Sequence, residues 1–260
     1  MAADKPRKRD RIKGYVTVPL SVRTADLPKR AASAVVMLAI SGAALWFGGI
    51  VWTLFVAAVA IGVYFEWSVL ALLFREPGTH RNLWRLAGAV YCAAGATVLI
   101  ALRDSALGIF AVLVLLGAVI GTDVGAYFSG RTFGGPKIAP RISPSKTWAG
   151  LAGGALGASL VIWLLFDAVG ASRLGADGAA SVSSAAIGGL PSVVLAGIVA
   201  AVVAQAGDFF ESWMKRRAGV KDSGKLLPGH GGLFDRVDGL LSVSVAVGAI
   251  FMVARVAGAL

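Results

Sequence analysis

The chain has 260 residues, of which 57% are hydrophobic and only 15% are charged, whereas a soluble domain carries roughly 25% charged residues. Together with a mean hydropathy of +0.77, this excludes an ordinary soluble domain. A net charge of +11 would indicate a nucleic-acid partner in a soluble protein, but basic residues also collect in cytoplasmic loops of membrane proteins, so we expect no nucleic acid among the partners.

Long stretches without Asp, Glu, Lys or Arg occur along the chain, and a helix needs about 20 apolar residues to cross a bilayer. The longest, at residues 31–65, would form a helix of about 52 Å at 1.5 Å per residue, so we place a turn at Gly48-Gly49. A second break is expected at Arg103-Asp104. The sequence predicts an all-α polytopic membrane bundle of about seven helices, with a range of seven to nine, at residues 31–47, 50–74, 83–102, 105–128, 148–170, 191–211 and 237–258.

Basic residues fall on alternate sides of these spans. The segments 1–30, 75–85, 129–147 and 212–236 hold nine, three, four and six of the 25 basic residues. Because cytoplasmic loops are enriched in Lys and Arg, the N-terminus is predicted to be cytoplasmic and, with seven spans, the C-terminus to lie outside. We expect two parts, a basic tail at residues 1–30 and a transmembrane domain at residues 31–260.

Polar residues gather at the inner end of the fourth span, where Asp123 is followed one turn later by Tyr127. The loop at residues 129–147 mixes four basic residues with Gly, Ser and Thr, which favours an anion site over a plain topology signal. In the span that follows, Ala149, Gly153 and Gly157 recur every four residues. This spacing lets two membrane helices approach closely, so we expect helix packing there.

The helix that leaves the sixth span carries polar residues at positions i, i+3, i+4 and i+7, which places them on one face. They are Asp208, Glu211, Ser212 and Lys215. Asp208 follows 30 uncharged residues, and an unpaired carboxylate at that depth is costly unless it is neutralised. A bound cation is one alternative, and a salt bridge to Lys215 or to a neighbouring residue is the other.

A loop at residues 220–232 combines glycines with Lys221, Lys225 and His230. Free backbone N–H groups and basic side chains before a helix N-terminus suit phosphate oxygens. Directly after this loop, Asp235 and Asp238 lie three residues apart and share a helix face.

With Asp208 facing them from another helix, Asp235 and Asp238 would form a site made only of carboxylate oxygens. Such hard ligands favour Mg²⁺, which proteins usually share with substrate phosphates. The alternative is that Arg236 pairs with either of its neighbouring aspartates. Acidic metal sites beside basic, glycine-rich loops at one membrane surface indicate transfer chemistry on phosphate esters.

The segment at residues 212–238 closely resembles the signature of the bacterial phosphatidate cytidylyltransferases, or CDP-diacylglycerol synthases. A second segment, at residues 123–147, resembles the second block of that family in the expected order. The resemblance covers roughly residues 30 to 258. One position departs from it, because Ala149 stands where the family usually has Glu, so we expect that acid to have a supporting role.

The resemblance implies transfer of the cytidylyl group of CTP to phosphatidate, giving CDP-diacylglycerol and pyrophosphate in phospholipid biosynthesis. It implies Mg²⁺, alone or with a second cation, held by Asp208, Asp235 and Asp238. The implied catalytic residues are Lys215, Arg216, Lys221, Asp222, His230 and Arg236. The implied substrate-binding residues are Asp123, Tyr127, Arg131, Ser143, Ser145, Lys146, Thr147, Ser212, Ser223, Gly231 and Gly232.

The expected setting is a multi-pass protein of the bacterial inner membrane with its site facing the cytoplasm. The expected partners are CTP, phosphatidate and membrane lipids. Whether the protein also forms a homodimer is left open. One alternative keeps the fold and changes the reaction, to a CTP-dependent polyprenol or phytol kinase or another lipid cytidylyltransferase. An ion-coupled transporter using Asp123 and Asp208 is disfavoured, because the polar residues cluster at one membrane face.

Overall fold

The computed structural model describes residues 27–173, 189–227 and 231–258. In these residues the chain forms seven helices and one short antiparallel hairpin, which confirms the predicted all-α bundle. The helices are α1 (Leu27–Phe47), α2 (Gly49–Leu72), α3 (Gly78–Asp104), α4 (Ile109–Thr132), α5 (Trp148–Arg173), α6 (Gly189–Ala218) and α7 (Phe234–Val256). The hairpin consists of β1 (Lys137–Ala139) and β2 (Ser143–Thr147).

Six of the helices, α2 to α7, are long and apolar enough to cross a membrane. Helix α1 contributes a shorter apolar stretch, Ala31–Phe47, so the seventh span and the alternation of sides stay predictions. Helix α1 begins at Leu27, four residues before the predicted start of the first span. The rest of the predicted basic tail lies outside the described residues.

The turn between α1 and α2 lies at the predicted glycines, since Gly48 and Gly49 have φ angles of 64° and 49°. Positive φ is accessible to glycine without the steric cost that a side chain adds. Arg103, in the last turn of α3, reaches this turn and donates from Nε to the Leu45 carbonyl oxygen at 2.9 Å. The predicted break after α3 falls slightly later than expected, at residues 105–108.

Helices α4 and α5 pack through glycine faces, which confirms the packing role expected for Gly153 and Gly157. A Cβ atom placed on Gly121 would lie 2.7 Å from the Gly157 carbonyl oxygen, and one on Gly153 would lie 2.7 Å from the Gly125 carbonyl oxygen. Any larger residue would push the two backbones apart. Close packing here fixes Asp123, on α4, relative to the hairpin that leads into α5.

An aromatic cluster joins α2, α3, α6 and α7 close to the acidic residues. Trp67 is 2% exposed, and its ring centroid lies 5.4 Å from that of Phe210 and 5.5 Å from that of Phe234. Its indole N–H donates to the Trp84 carbonyl oxygen at 2.7 Å. Because Phe210 and Phe234 are neighbours in sequence of the α6 and α7 acids, this cluster sets the separation of the two acidic faces.

Candidate active site

One polar cavity of about 310 Å³ collects side chains from α4, β2, α6 and α7. The sequence segments that supply them are up to 115 residues apart, and the fold brings their predicted site residues together at one end of the bundle. The lining residues are Asp123, Lys146, Asp208, Glu211, Ser212, Lys215, Asp235, Arg236 and Asp238.

All four polar residues of the α6 face line this cavity, as the helical spacing predicts. Lys215 lies between two carboxylates, 2.5 Å from Glu211 Oε2 and 2.5 Å from Asp235 Oδ1. Its side chain is 15% exposed, and those of Glu211 and Asp235 are 2% and 16% exposed. Lys215 therefore links α6 to α7 through a nearly buried ion-pair triad.

Glu211 was not among the predicted site residues, although the same helical spacing places it on the cavity face. Its Oε1 atom is buried and has no hydrogen-bond partner in the described part of the chain. An acceptor buried without a donor is costly. Glu211 therefore brings to the cavity an oxygen that is free to accept a donor or a cation.

A second ion pair joins Lys146 of β2 to Asp208 of α6. The Lys146 ammonium also lies 4.9 Å from the centroid of the Phe209 ring. Asp123 and Asp238 line the same cavity as this pair. These four residues form a second acidic group beside the Lys215 triad.

The cavity has more carboxylates than basic side chains. Five carboxylates against Lys146, Lys215 and Arg236 leave an excess of two negative formal charges. The all-oxygen donor set fits a hard divalent cation in its chemistry. In the described residues, however, no group of three or more His, Cys, Asp or Glu is arranged to hold a metal ion. Lys146 and Lys215 are paired with the carboxylates instead.

The start of α7 is held by Glu66, which was not among the residues predicted from the sequence. Glu66 of α2 is 2% exposed and accepts hydrogen bonds from the backbone N–H groups of Leu233 at 3.0 Å and Phe234 at 2.9 Å. The Ser223 hydroxyl lies 2.8 Å from both Glu66 and Asp235. The position of Glu66 could have indicated a role. Glu66 is an ionisable residue inside a predicted span, and such residues are usually functional.

The glycine-rich loop closes onto α7 through the same group of residues. The Ser223 N–H donates to Asp235 Oδ2 at 2.9 Å, and the Gly232 N–H lies 3.3 Å from the same oxygen. Gly231 has a φ angle of 84° and accepts a hydrogen bond from the Leu227 N–H at 3.0 Å. Predicted substrate-binding residues Ser223, Gly231 and Gly232 thus lie against Asp235.

The β1–β2 hairpin was not predicted within the loop at residues 129–147. Its register pairs Lys137 with Thr147 and Ala139 with Ser143, and it delivers Lys146 to the cavity. Thr147 is buried, and its hydroxyl accepts a hydrogen bond from the Gly150 N–H at 3.0 Å. Thr147 therefore caps the first turn of α5.

The remaining predicted site residues lie outside this cavity lining. Tyr127 accepts a hydrogen bond from Arg131 at 3.3 Å, and the Ser143 and Ser145 hydroxyl oxygens are 3.5 Å apart. Three further predicted residues lie outside the lining and are exposed: Arg216, Lys221 and Asp222. His230 lies outside the described residues.

Comparison with known proteins identifies the family of this chain. Residues 68–254 match the model of the cytidylyltransferase family. A phosphatidate cytidylyltransferase of Brucella suis biovar 1 is 35% identical over 87% of this chain and 94% of its own length. Proteins of the same name from Rickettsia bellii and Haemophilus influenzae are 30% and 38% identical, over 76% and 53% of this chain and 79% and 44% of their own lengths. The chain therefore belongs to the cytidylyltransferase family.

Proposed function

We propose that this chain transfers the cytidylyl group of CTP to phosphatidate and so makes CDP-diacylglycerol. Membership of the family and the activity for which its relatives are named support the reaction. The observation that carries the proposal is the cavity in which acids of α6 and α7 meet Lys146 and Lys215. Such a site can neutralise a triphosphate and an anionic lipid at the same time.

In the proposed reaction, a phosphate oxygen of phosphatidate attacks the α phosphorus of CTP. A new P–O–P bond forms, the bond between the α and β phosphates breaks, and pyrophosphate leaves. The attacking oxygen already carries negative charge, so the chain has no need of a strong general base. Lys146, Lys215 and Arg236 line the cavity and would neutralise phosphate oxygens, which lowers the repulsion between the two anions.

We further propose that Asp208, Asp235 and Asp238 hold Mg²⁺. When bound, the cation would neutralise charge that develops on the phosphates and help to align them. Support comes from the excess of carboxylates in the cavity and from Glu211 Oε1, which has no hydrogen-bond partner among the described residues. The lysine ammonium groups would then turn from the carboxylates toward phosphate oxygens.

The proposed setting is the bacterial inner membrane, with the cavity at the cytoplasmic face. Six helices of the described chain are long and apolar enough to cross a membrane, and the relatives are bacterial proteins. Lys146 and Lys215 of the cavity belong to segments that hold ten of the 25 basic residues, and basic segments favour the cytoplasmic side.

An apolar groove between α3 and α7 is the proposed place for the acyl chains of phosphatidate. It measures about 490 Å³, and its lining residues are Leu83, Leu86, Ala87, Val90, Tyr91 and Ala94 of α3 and Val245 of α7. At its wall, the Tyr91 hydroxyl lies 2.6 Å from Ser242 Oγ, and Ser242 donates to the Asp238 carbonyl oxygen at 2.9 Å. The groove therefore borders the helix turn that bears the cavity acid Asp238.

Filling this groove should weaken use of the lipid but not of the nucleotide. We expect Ala94→Trp to raise the KM for phosphatidate about 10-fold, the cost of roughly 1.4 kcal/mol of lost apolar contact, with the KM for CTP unchanged. Ala93→Trp is the matched control, because Ala93 is an exposed neighbour on α3 outside the groove lining. Equal effects of the two substitutions in steady-state kinetics would argue against this placement.

The proposed function is tested by product analysis with the purified chain in detergent. With CTP, phosphatidate and Mg²⁺, mass spectrometry should find CDP-diacylglycerol, with one pyrophosphate released per lipid product, and a chelator should stop the reaction. A phosphorylated polyprenol or phytol with CDP as the second product would instead identify a lipid kinase. Absence of any lipid product from either acceptor would refute the proposal.

A further inference from the structure

We propose that Glu66 is a positioning residue that holds the glycine-rich loop and the start of α7 in their reactive arrangement. This inference rests on the proposed cytidylyl transfer. Glu66 lies two residues before the segment that matches the family model, which begins at residue 68. It does not line the cavity formed by the described residues, so it would act through the residues that it holds.

Glu66 supplies a cap that α7 lacks in its own sequence. The N-cap position of α7 is Leu233, which makes no side-chain capping hydrogen bond. Helix N-termini leave backbone N–H groups without partners inside the helix, and these are normally satisfied by a polar side chain nearby in sequence. Here the Glu66 carboxylate accepts the N–H groups of Leu233 and Phe234 from a different helix.

Its negative charge suits this place, because the N-terminus of a helix carries a partial positive charge. A carboxylate buried in an apolar helix is costly unless it is fully hydrogen-bonded. Glu66 Oε1 accepts one hydrogen bond and Oε2 accepts two, the second from Ser223. The carboxylate is thereby balanced by N–H and O–H donors of the loop and of α7.

Two glycines of the loop make this close approach feasible. A Cβ atom on Gly224 would lie 2.8 Å from Glu66 Cγ, and one on Gly232 would lie 2.8 Å from Glu66 Oε2. The described loop therefore approaches the carboxylate closely at both glycines. The glycines of this loop therefore have a second explanation besides phosphate binding. They let the backbone approach the buried Glu66 carboxylate.

The link from Glu66 to the cavity runs through two residues. Ser223 lies 2.8 Å from both Glu66 Oε2 and Asp235 Oδ2, and Asp235 Oδ1 lies 2.5 Å from the Lys215 ammonium. A shift at Glu66 would therefore move Asp235 and Lys215. Displacements of about 1 Å far from the reacting atoms can lower turnover about 100-fold.

Glu66→Gln tests the inference with a nearly isosteric change. The amide keeps one acceptor oxygen and puts an NH₂ donor against N–H or O–H donors of Ser223, Leu233 or Phe234. We expect amide hydrogen exchange in the peptides covering residues 220–227 and 231–236 to become about 10- to 100-fold faster, as for loss of a hydrogen bond to a charged group. We also expect kcat to fall about 100-fold, with the bundle still folded and its thermal midpoint lowered by roughly 3–10 °C.

Two substitutions serve as matched controls. Ser68→Ala removes a buried hydroxyl of the same helix that has no hydrogen-bond partner among the residues the structure describes, and Glu76→Gln makes the same chemical change in an ion pair with Arg217. Both should leave exchange in residues 220–236 and kcat near wild type. If Glu66→Gln unfolds the bundle, Ser223→Ala breaks the same link from the loop side and should give the same pattern.

The outcomes separate this inference from the proposed function. Unchanged amide exchange at the start of α7 in Glu66→Gln, or a fall in kcat matched by Glu76→Gln, would overturn the positioning role. An inactive wild-type chain would refute cytidylyl transfer, while the exchange data would still show whether Glu66 holds the loop.

Discussion

Asp208→Asn is expected to reduce cytidylyl transfer about 100- to 1,000-fold, the loss typical of removing one electrostatic group aimed at a reacting centre. Asn keeps the shape of the side chain but cannot neutralise Lys146 or a bound cation. Asp208 is 27% exposed, so the substitution should leave the bundle folded. Turnover at saturating CTP, phosphatidate and Mg²⁺ is the measurement, with the thermal midpoint measured alongside.

Asp104→Asn is the matched control, since Asp104 is an exposed acid at the end of α3 and outside the cavity lining. It should retain wild-type turnover. Asp235→Asn is a less selective test, because Asp235 also accepts the Ser223 N–H and its loss would disturb the loop. Near wild-type turnover of Asp208→Asn at saturating Mg²⁺ would count against the proposed role of Asp208 in binding a cation.

The second large effect is expected for Lys215→Met, which should both inactivate and destabilise the protein. Lys215 lies between Glu211 and Asp235, and Glu211 is only 2% exposed. Removing one member of a buried ion pair leaves an uncompensated charge and typically costs about 3–5 kcal/mol. The unfolding free energy in mixed micelles should fall by this amount, and turnover should be lost.

A double substitution separates the two effects of Lys215. Lys215→Met with Glu211→Gln removes the uncompensated charge, so stability should largely return while transfer stays lost. Lys137→Met is the control, because Lys137 is exposed on β1 and outside the cavity lining. Recovery of transfer in the double variant would show that Lys215 serves stability alone.

Much of the bundle could be predicted from sequence, because membrane spans and helix faces are local properties. Uncharged windows located the apolar helices, and glycine spacing predicted the α4–α5 contact. The spacing of Asp208 and Lys215 on one helix face predicted that both would reach a common site. Each of these features depends on the period of a helix or on the thickness of a bilayer.

What could not be predicted depends on contacts between distant segments. Nothing local shows that Glu66 caps a helix that begins 168 residues later, or that Lys215 is shared between Glu211 and Asp235. For Asp208 we expected either a cation or a salt bridge to Lys215 or a neighbour, and the structure pairs it with Lys146 from the hairpin rather than with Lys215. The hairpin itself was missed, because its short strands depend on pairing rather than on an apolar pattern.

The most direct test of the central claim follows the fate of labelled CTP in the purified wild-type chain and in Asp208→Asn. With phosphatidate as acceptor, label at the α phosphorus should enter the lipid, and label at the γ phosphorus should leave as pyrophosphate. Asp208→Asn should lose lipid labelling. Entry of the γ label into lipid, or equal α labelling by both proteins, would contradict cytidylyl transfer at this cavity.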